Sequence, residues 1–216
     1  MPLQVIRKSA GVGLAVKSKS NQLSKISINA GWDLPSGGGG LLGSLFGGGG
    51  AEYDLDIFAA VYEGSRHSDT CFYGNKSGVS GLSHGGDNLT GKDSASAAKI
   101  SSEGLLNVEK PWLAIDESLV VNFAQLKPGI DTIFVGINIY EASSRKQSFE
   151  NVKNAFLCIS DADGKPLYLF DVSKRTSTGL IAIKITKQAD GDWQVTNLDL
   201  DVNGNISQIV RFANTL

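Results

Sequence analysis

From Gly31 to Glu63 the chain contains no lysine, arginine or histidine, although Asp33, Asp54 and Asp56 all lie in that stretch. The simplest local way of neutralising half-buried carboxylates is therefore missing. Cysteine is scarce as well. Cys71 and Cys158 are too few and too far apart for a disulfide framework, so each is expected to pack as a small reduced side chain. His67 and His84 are the only histidines, and Cys71 with His84 cannot complete a tetrahedral zinc centre. No window approaches the roughly 18 apolar residues of a membrane span. Met1 to Val16 lacks the continuous apolar run and cleavage site of a signal peptide, and a cytoplasmic protein is expected. Charge of one sign is also absent: the net charge is -2 with no long basic run, which argues against a nucleic-acid surface. The glycine-rich segment 36–50 holds no Gly-Lys-Ser or Gly-Lys-Thr and so is not a phosphate-binding loop. A hydrolase using His84 as base beside Asp87, with Ser80 or Ser83 as nucleophile, would have no supporting motif, and the chain is read as a non-enzyme.

What is present reads as strand and turn. The 216 residues, 41% of them hydrophobic, suffice for a large core, and no boundary divides 1–216. Short apolar runs recur about every ten residues, among them Val12–Val16, Ile26–Ile28, Tyr53–Tyr62, Leu119–Phe123 and Thr132–Tyr140. Hairpin signals stand at Asp161–Gly164, Ala189–Gly191 and Asn203-Gly204, the last expected to join strands Asp199–Val202 and Ile206–Phe212. Ser148 to Phe156 is the one expected helix, with Ser148 as cap and Phe149, Val152 and Phe156 on one face. The fold class is all-β: a β-sandwich of two antiparallel sheets with one short helix and long loops, 36–50 being a flexible glycine-rich loop.

Asp54 and Asp56 are two apart, so on a strand they share one face about 7 Å apart. Like charges on a half-buried face repel, and desolvation makes both worse. A distant base, backbone N–H groups, a raised pKa or a bound cation must compensate. Hard oxygen ligands favour calcium or magnesium. A second acidic cluster, Asp87, Asn88 and Thr90 with Asp116 and Glu117, lies in a glycine-permissive stretch, and a sandwich gathers its loops at two ends. Independent turn-formers and caps are the plain alternative for these residues. Asp199-Leu-Asp201-Val-Asn203-Gly204 fits the first half of an EF-hand loop, but Val210 stands where the bidentate Glu belongs, and a strand and turn are expected there.

Taken together, several motifs resemble the TerD family of tellurium-resistance and stress proteins. They are Gly31-Trp32-Asp33, Tyr53-Asp54-Leu55-Asp56, Phe72-Tyr73-Gly74-Asn75, His84 to Gly91, Asp116-Glu117, and Ile139-Tyr140-Glu141 through Arg145 to Asn154-Ala155-Phe156. The likeness runs to about Ser173. It implies a calcium-binding β-sandwich without chemistry of its own, active in tellurite and general stress resistance. By this resemblance the metal ligands would be drawn from Asp33, Asp54, Asp56, Asn75, Asp87, Asn88, Asp116 and Glu117. Partners would be other stress or tellurium-resistance proteins, including membrane-associated ones. A calcium-dependent small-ligand or glycan-binding sandwich is the alternative. Two departures stand out: 92–114 is an insertion, and Ile115 replaces one carboxylate of the family's acidic run, leaving the number of ions open. His84 is expected to hydrogen-bond beside the acidic site.

Overall fold

The computed structural model describes residues 4–8, 24–33, 53–89, 99–101 and 112–216. The expected strand Val12–Val16, the glycine-rich loop 36–50, Thr90 and most of the 92–114 insertion lie outside the described residues. Among the described residues thirteen strands appear in chain order: β1 Gln4–Lys8, β2 Lys25–Asp33, β3 Leu55–Glu63, β4 Arg66–Cys71, β5 Leu82–His84, β6 Lys99–Ser101, β7 Trp112–Ala114, β8 Glu117–Asn122, β9 Thr132–Ile139, β10 Lys153–Ser160, β11 Pro166–Asp171, β12 Gly179–Lys187 and β13 Trp193–Asn203. The same residues hold two α-helices, α1 Ala142–Arg145 between β9 and β10 and α2 Ile206–Ala213 after β13. One sheet runs β1-β13-β12-β9-β3-β4, the other β11-β10-β2-β8-β5, and β6 with β7 makes a small ribbon. Neighbouring strands are antiparallel, as in β3 with β9 and β2 with β8.

Period-two alternation builds the core. Ile26, Ile28 and Ala30 of β2 and Leu119 and Val121 of β8 meet Leu55, Ile57, Ala59 and Val61 of β3 and Ile133, Val135, Ile137 and Ile139 of β9. Burial of these side chains against the facing sheet is the main stabilising term. The six-stranded sheet is covered on its other face too. There Phe58, Ala60 and Tyr62 of β3, Phe134 of β9 and Ile181 of β12 pack under Ile209, Val210 and Ala213 of α2. Covering on both faces is why β3 reads as a nearly unbroken apolar run after its aspartates.

Two elements depart from the sequence reading. Ile206 to Phe212 is the helix α2, not a strand, so Asn203-Gly204 joins a strand to a helix. Asn205 and Gln208 close a reciprocal capping box: the Asn205 side chain accepts the Gln208 backbone N–H at 3.0 Å, and the Gln208 side chain accepts that of Asn205 at 3.0 Å. Residues 206, 209, 210 and 213 then recur at helical spacing, and Tyr62 anchors the roof by donating its hydroxyl to the Val210 carbonyl at 2.6 Å. Conversely, Ser148 to Phe156 is not a helix. A single 3-10 turn spans Phe149–Asn151, Ser148 provides no side-chain cap, and Lys153 begins β10. Pairing with both β2 and β11 satisfies the backbone of this segment better than an isolated helical turn would. The Asp161–Gly164 and Ala189–Gly191 turns do join β10 to β11 and β12 to β13.

Candidate metal centre

β4 pairs with β3 only from Ala59 onward, so the Leu55–Phe58 end of β3 has β9 on one side and no β4 on the other. Glu117, first residue of β8 in the opposite sheet, fills part of that gap. Its Oε2 accepts the Ile57 backbone N–H at 3.1 Å, and its Oε1 accepts that of Asn88 at 3.3 Å. Glu117 is 2% exposed. The loop after β5 is thereby laced to the start of β8. Gly85 N donates to the Ser118 carbonyl at 2.7 Å, and the Asn88 side-chain amide donates to Asp116 Oδ1 at 2.8 Å. Asp116 Oδ2 in turn accepts the Trp32 backbone N–H at 3.0 Å, and the Trp32 indole donates to the Tyr53 carbonyl at 2.9 Å. Gly31 permits this: a Cβ there would lie 2.0 Å from the Ala114 carbonyl oxygen, so only glycine lets the segment before Asp116 run this close to β2.

The lacing brings Asp87 over the base of β3. Asp54, Asp56 and Asp87 each offer a carboxylate oxygen, and these three oxygens lie within 4.8 Å of one another. Asp54 and Asp56 are buried and Asp87 is exposed, so the cluster opens to solvent on the loop side. It is the one such group of three or more among the described residues. Burial, followed by the charges of Asp54, Glu117 and Asp87, pushes the Asp56 carboxyl up to about 9. Arg145 acts in the opposite direction and is the weakest of these influences. A base absent from the local sequence is thus supplied from the end of α1, without balancing the cluster. Asp56 Oδ2 is buried and has no hydrogen-bond partner among the described residues.

The remaining expected ligands fall around this trio or away from it. Glu117 and Asn88 form its frame, as above. Asp33, at the end of β2, accepts a hydrogen bond from the Asn154 side chain. The Asn75 carboxamide ties its own turn to β4, donating to Asp69 at 3.1 Å and to the Thr70 carbonyl at 2.9 Å while accepting Gly78 N at 3.1 Å. Ile115 packs on Phe156 and Cys158 on the outer side of the five-stranded sheet, so a carboxylate at that position would face hydrocarbon. His84 Nδ1 accepts Gly86 N at 3.3 Å, which places the ring proton on Nε2, 3.6 Å from Glu117 Oε2. The EF-hand-like aspartates are spoken for: Arg175 bonds Asp201 at 2.7 Å and Asp199 at 2.8 Å.

Sequence reasoning missed an aromatic and cationic fringe beside the trio. Tyr73 and Tyr140 meet edge to face with centroids 5.8 Å apart, and the Arg145 guanidinium lies 5.4 Å from the Tyr140 ring centre. Burial and the charge of Asp56 push the Tyr73 phenol up to about 12. The signal was available, since all three residues belong to the quoted motifs, but nothing in their spacing showed that they converge on Asp56.

Comparison with known proteins agrees with this architecture. The TerD domain profile matches residues 6–212. The chain is 32% identical over 143 residues to stress response protein SCP2 of Bacillus subtilis, covering 64% of this chain and 62% of that protein. It is 29% identical over 187 residues to tellurium resistance protein TerZ of Serratia marcescens, covering 86% of this chain and 84% of that one. A crystal structure of a telluride resistance protein (TerD) homologue from Streptomyces coelicolor superposes with a TM-score of 0.67 at 15% identity, covering 88% of this chain and 97% of that one; at this identity it speaks for the fold. No helix among the described residues is long and apolar enough to cross a membrane. The chain belongs to the TerD domain family, whose relatives carry the names of tellurium-resistance and stress-response proteins.

Proposed function

We propose that this protein binds calcium through Asp54, Asp56 and Asp87 and works without catalysing a reaction, as a cytoplasmic stress-response protein of the tellurium-resistance type. The observation that carries the reading is the trio itself. Two oxygens each about 2.4 Å from one calcium ion lie at most about 4.8 Å apart. The three carboxylate oxygens meet that limit, and two of the three residues are buried. A divalent cation converts their mutual repulsion into attraction and removes the need for Asp56 to hold a proton. Calcium suits the site better than magnesium, because one ligand comes from an exposed loop and the others from rigid backbone. Magnesium demands near-ideal octahedral geometry, whereas calcium accepts six to eight oxygens in irregular arrangements.

Glu117, Asn88 and Asp116 hold the loop bearing Asp87 in place, so ion binding and loop order are coupled. The ordered, cation-bound surface is the form that engages other stress or tellurium-resistance proteins, including membrane-associated ones. The names of the relatives, which refer to resistance and stress response and to no reaction, support a binding role. The test is thermal unfolding of the metal-stripped protein. At a hundredfold excess over its dissociation constant, calcium should add about 2.7 kcal/mol to stability. Restoration of Tm by calcium, and less well by magnesium, supports the reading; a melting curve indifferent to chelator and to both ions overturns it.

A further inference from the structure

Asn138 stands out in β9, an otherwise apolar strand at the centre of the six-stranded sheet. It is directly paired with Asp56 of β3 and is 2% exposed. Its side-chain amide donates to the Ile139 carbonyl at 3.0 Å. A carbonyl only accepts, so the nitrogen end of the carboxamide must face Ile139 and the oxygen end must face away. That Oδ1 is buried and has no hydrogen-bond partner among the described residues. Buried amide oxygens are rarely left so.

Its surroundings narrow the choice of partner. The neighbour across the other strand edge is Gly179, which has no side chain. A Cβ at Gly179 would lie 3.4 Å from the Asn138 Cβ and 2.8 Å from the Ile209 Cδ1, so hydrocarbon from α2 closes that side. Along the chain, the nearest residues on the face of Asp56 are Asp54, just before β3, and Phe58. Through the pairing with Asp56, the carboxylates of the acidic trio are polar groups that Asn138 can face. Asp56 Oδ2 is likewise buried and without a hydrogen-bond partner among the described residues. Once Asp56 is ionised, its oxygen and that of Asn138 are both acceptors and cannot bond each other, but a cation between them satisfies both.

We propose that Asn138 is a ligand of the bound cation, contributing its carboxamide oxygen as a neutral member of the coordination sphere beside Asp54, Asp56 and Asp87. The inference rests on the cation reading of that trio. A neutral oxygen raises the ligand count without adding charge to an already repulsive cluster. A ligand from a central strand, held by its own bond to Ile139, also fixes where the ion sits against Asp56, which the loop-borne Asp87 cannot do.

Calcium affinity is to be measured by competition with a fluorescent chelator for the wild type, Asn138→Ala and Asn138→Asp, together with Tm in excess chelator. Loss of the oxygen in Asn138→Ala should weaken binding about tenfold or more. Asn138→Asp, which keeps an oxygen at the same place, should still bind. If the wild type binds calcium and Asn138→Ala binds it at the wild-type affinity, the inference fails and the cation reading survives. If the wild type binds no calcium, both fail. Should Asn138→Ala not fold, the side-chain amide resonances of Asn138 in the wild type decide: they should move as calcium saturates, and amide resonances that stay in place overturn the assignment.

Discussion

Glu117 and Ile57 belong to opposite sheets, yet the carboxylate of the first accepts the backbone N–H of the second at 3.1 Å, where β4 no longer pairs with β3. A side chain here does the work of a strand. Glu117→Ala should leave a buried N–H without its acceptor and cost about 1–3 kcal/mol. For a chain of this size that is roughly 2–4 °C of Tm per kcal/mol. Glu117→Gln, which keeps one acceptor oxygen, should lose less. Thermal unfolding in excess chelator separates this structural contribution from any effect on the ion; equal stability of wild type and Glu117→Ala would contradict it.

The Asp56 carboxyl, raised to about 9 by burial and its acidic neighbours, ties stability of the metal-stripped protein to pH. Its folded pKa lies above the unfolded value of 3.8. Between those values the folded state holds a proton that the unfolded state has lost. Its contribution is therefore fully present below about pH 4 and is lost as pH rises toward about 9. In chelator, Tm should fall from pH 5 to pH 8; with saturating calcium, which replaces the proton, the fall should be smaller. Asp56→Asn should flatten the chelator curve. A wild-type chelator curve already as flat as that of Asp56→Asn would show that the group does not titrate as its surroundings require.

Arg175 holds the pair that most resembles an EF-hand. Asp201 is 3% exposed and bonded to Arg175 at 2.7 Å. Removing one partner of a buried ion pair leaves an uncompensated charge, so Arg175→Ala should cost about 3–5 kcal/mol. Asp199→Asn should leave calcium affinity unchanged. A drop in affinity on that substitution would relocate the ion to β13.

The helix that roofs the six-stranded sheet depends on its cap. Asn205→Ala should cost about 1 kcal/mol by unfastening the first turn of α2. Chemical denaturation should show a lower midpoint with an unchanged slope. No change in midpoint would mean that Tyr62 and the apolar contacts hold the helix unaided.

The sandwich was legible in the sequence because its evidence is local. Alternation in β2 and β8, the long apolar run of β9, and the turn chemistry of Asp161–Gly164 and Ala189–Gly191 each speak for themselves. α2 was missed because Asn203-Gly204 looks like a hairpin turn at short range; the deciding signal, Asn205 with Gln208 three residues on, lies just beyond it. Ser148 to Phe156 reads as a helix because Phe149, Val152 and Phe156 fit a helical spacing, while from Lys153 onward its form is set by two neighbouring strands remote in sequence. At the site, Asp54 and Asp56 could be read from their period and from the missing local base. That Asp87 closes over them, that Glu117 turns back to Ile57, and that Asn138 pairs with Asp56 all depend on sheet register, which no single segment records.

The most direct measurement is isothermal titration calorimetry of calcium into metal-stripped wild type and Asp56→Asn. Saturable binding by the wild type, strongly weakened in the variant while the fold is retained, is the expected result. Absence of binding heat in the wild type, or equal binding by a folded Asp56→Asn, would contradict the claim that the three gathered carboxylates exist to hold an ion.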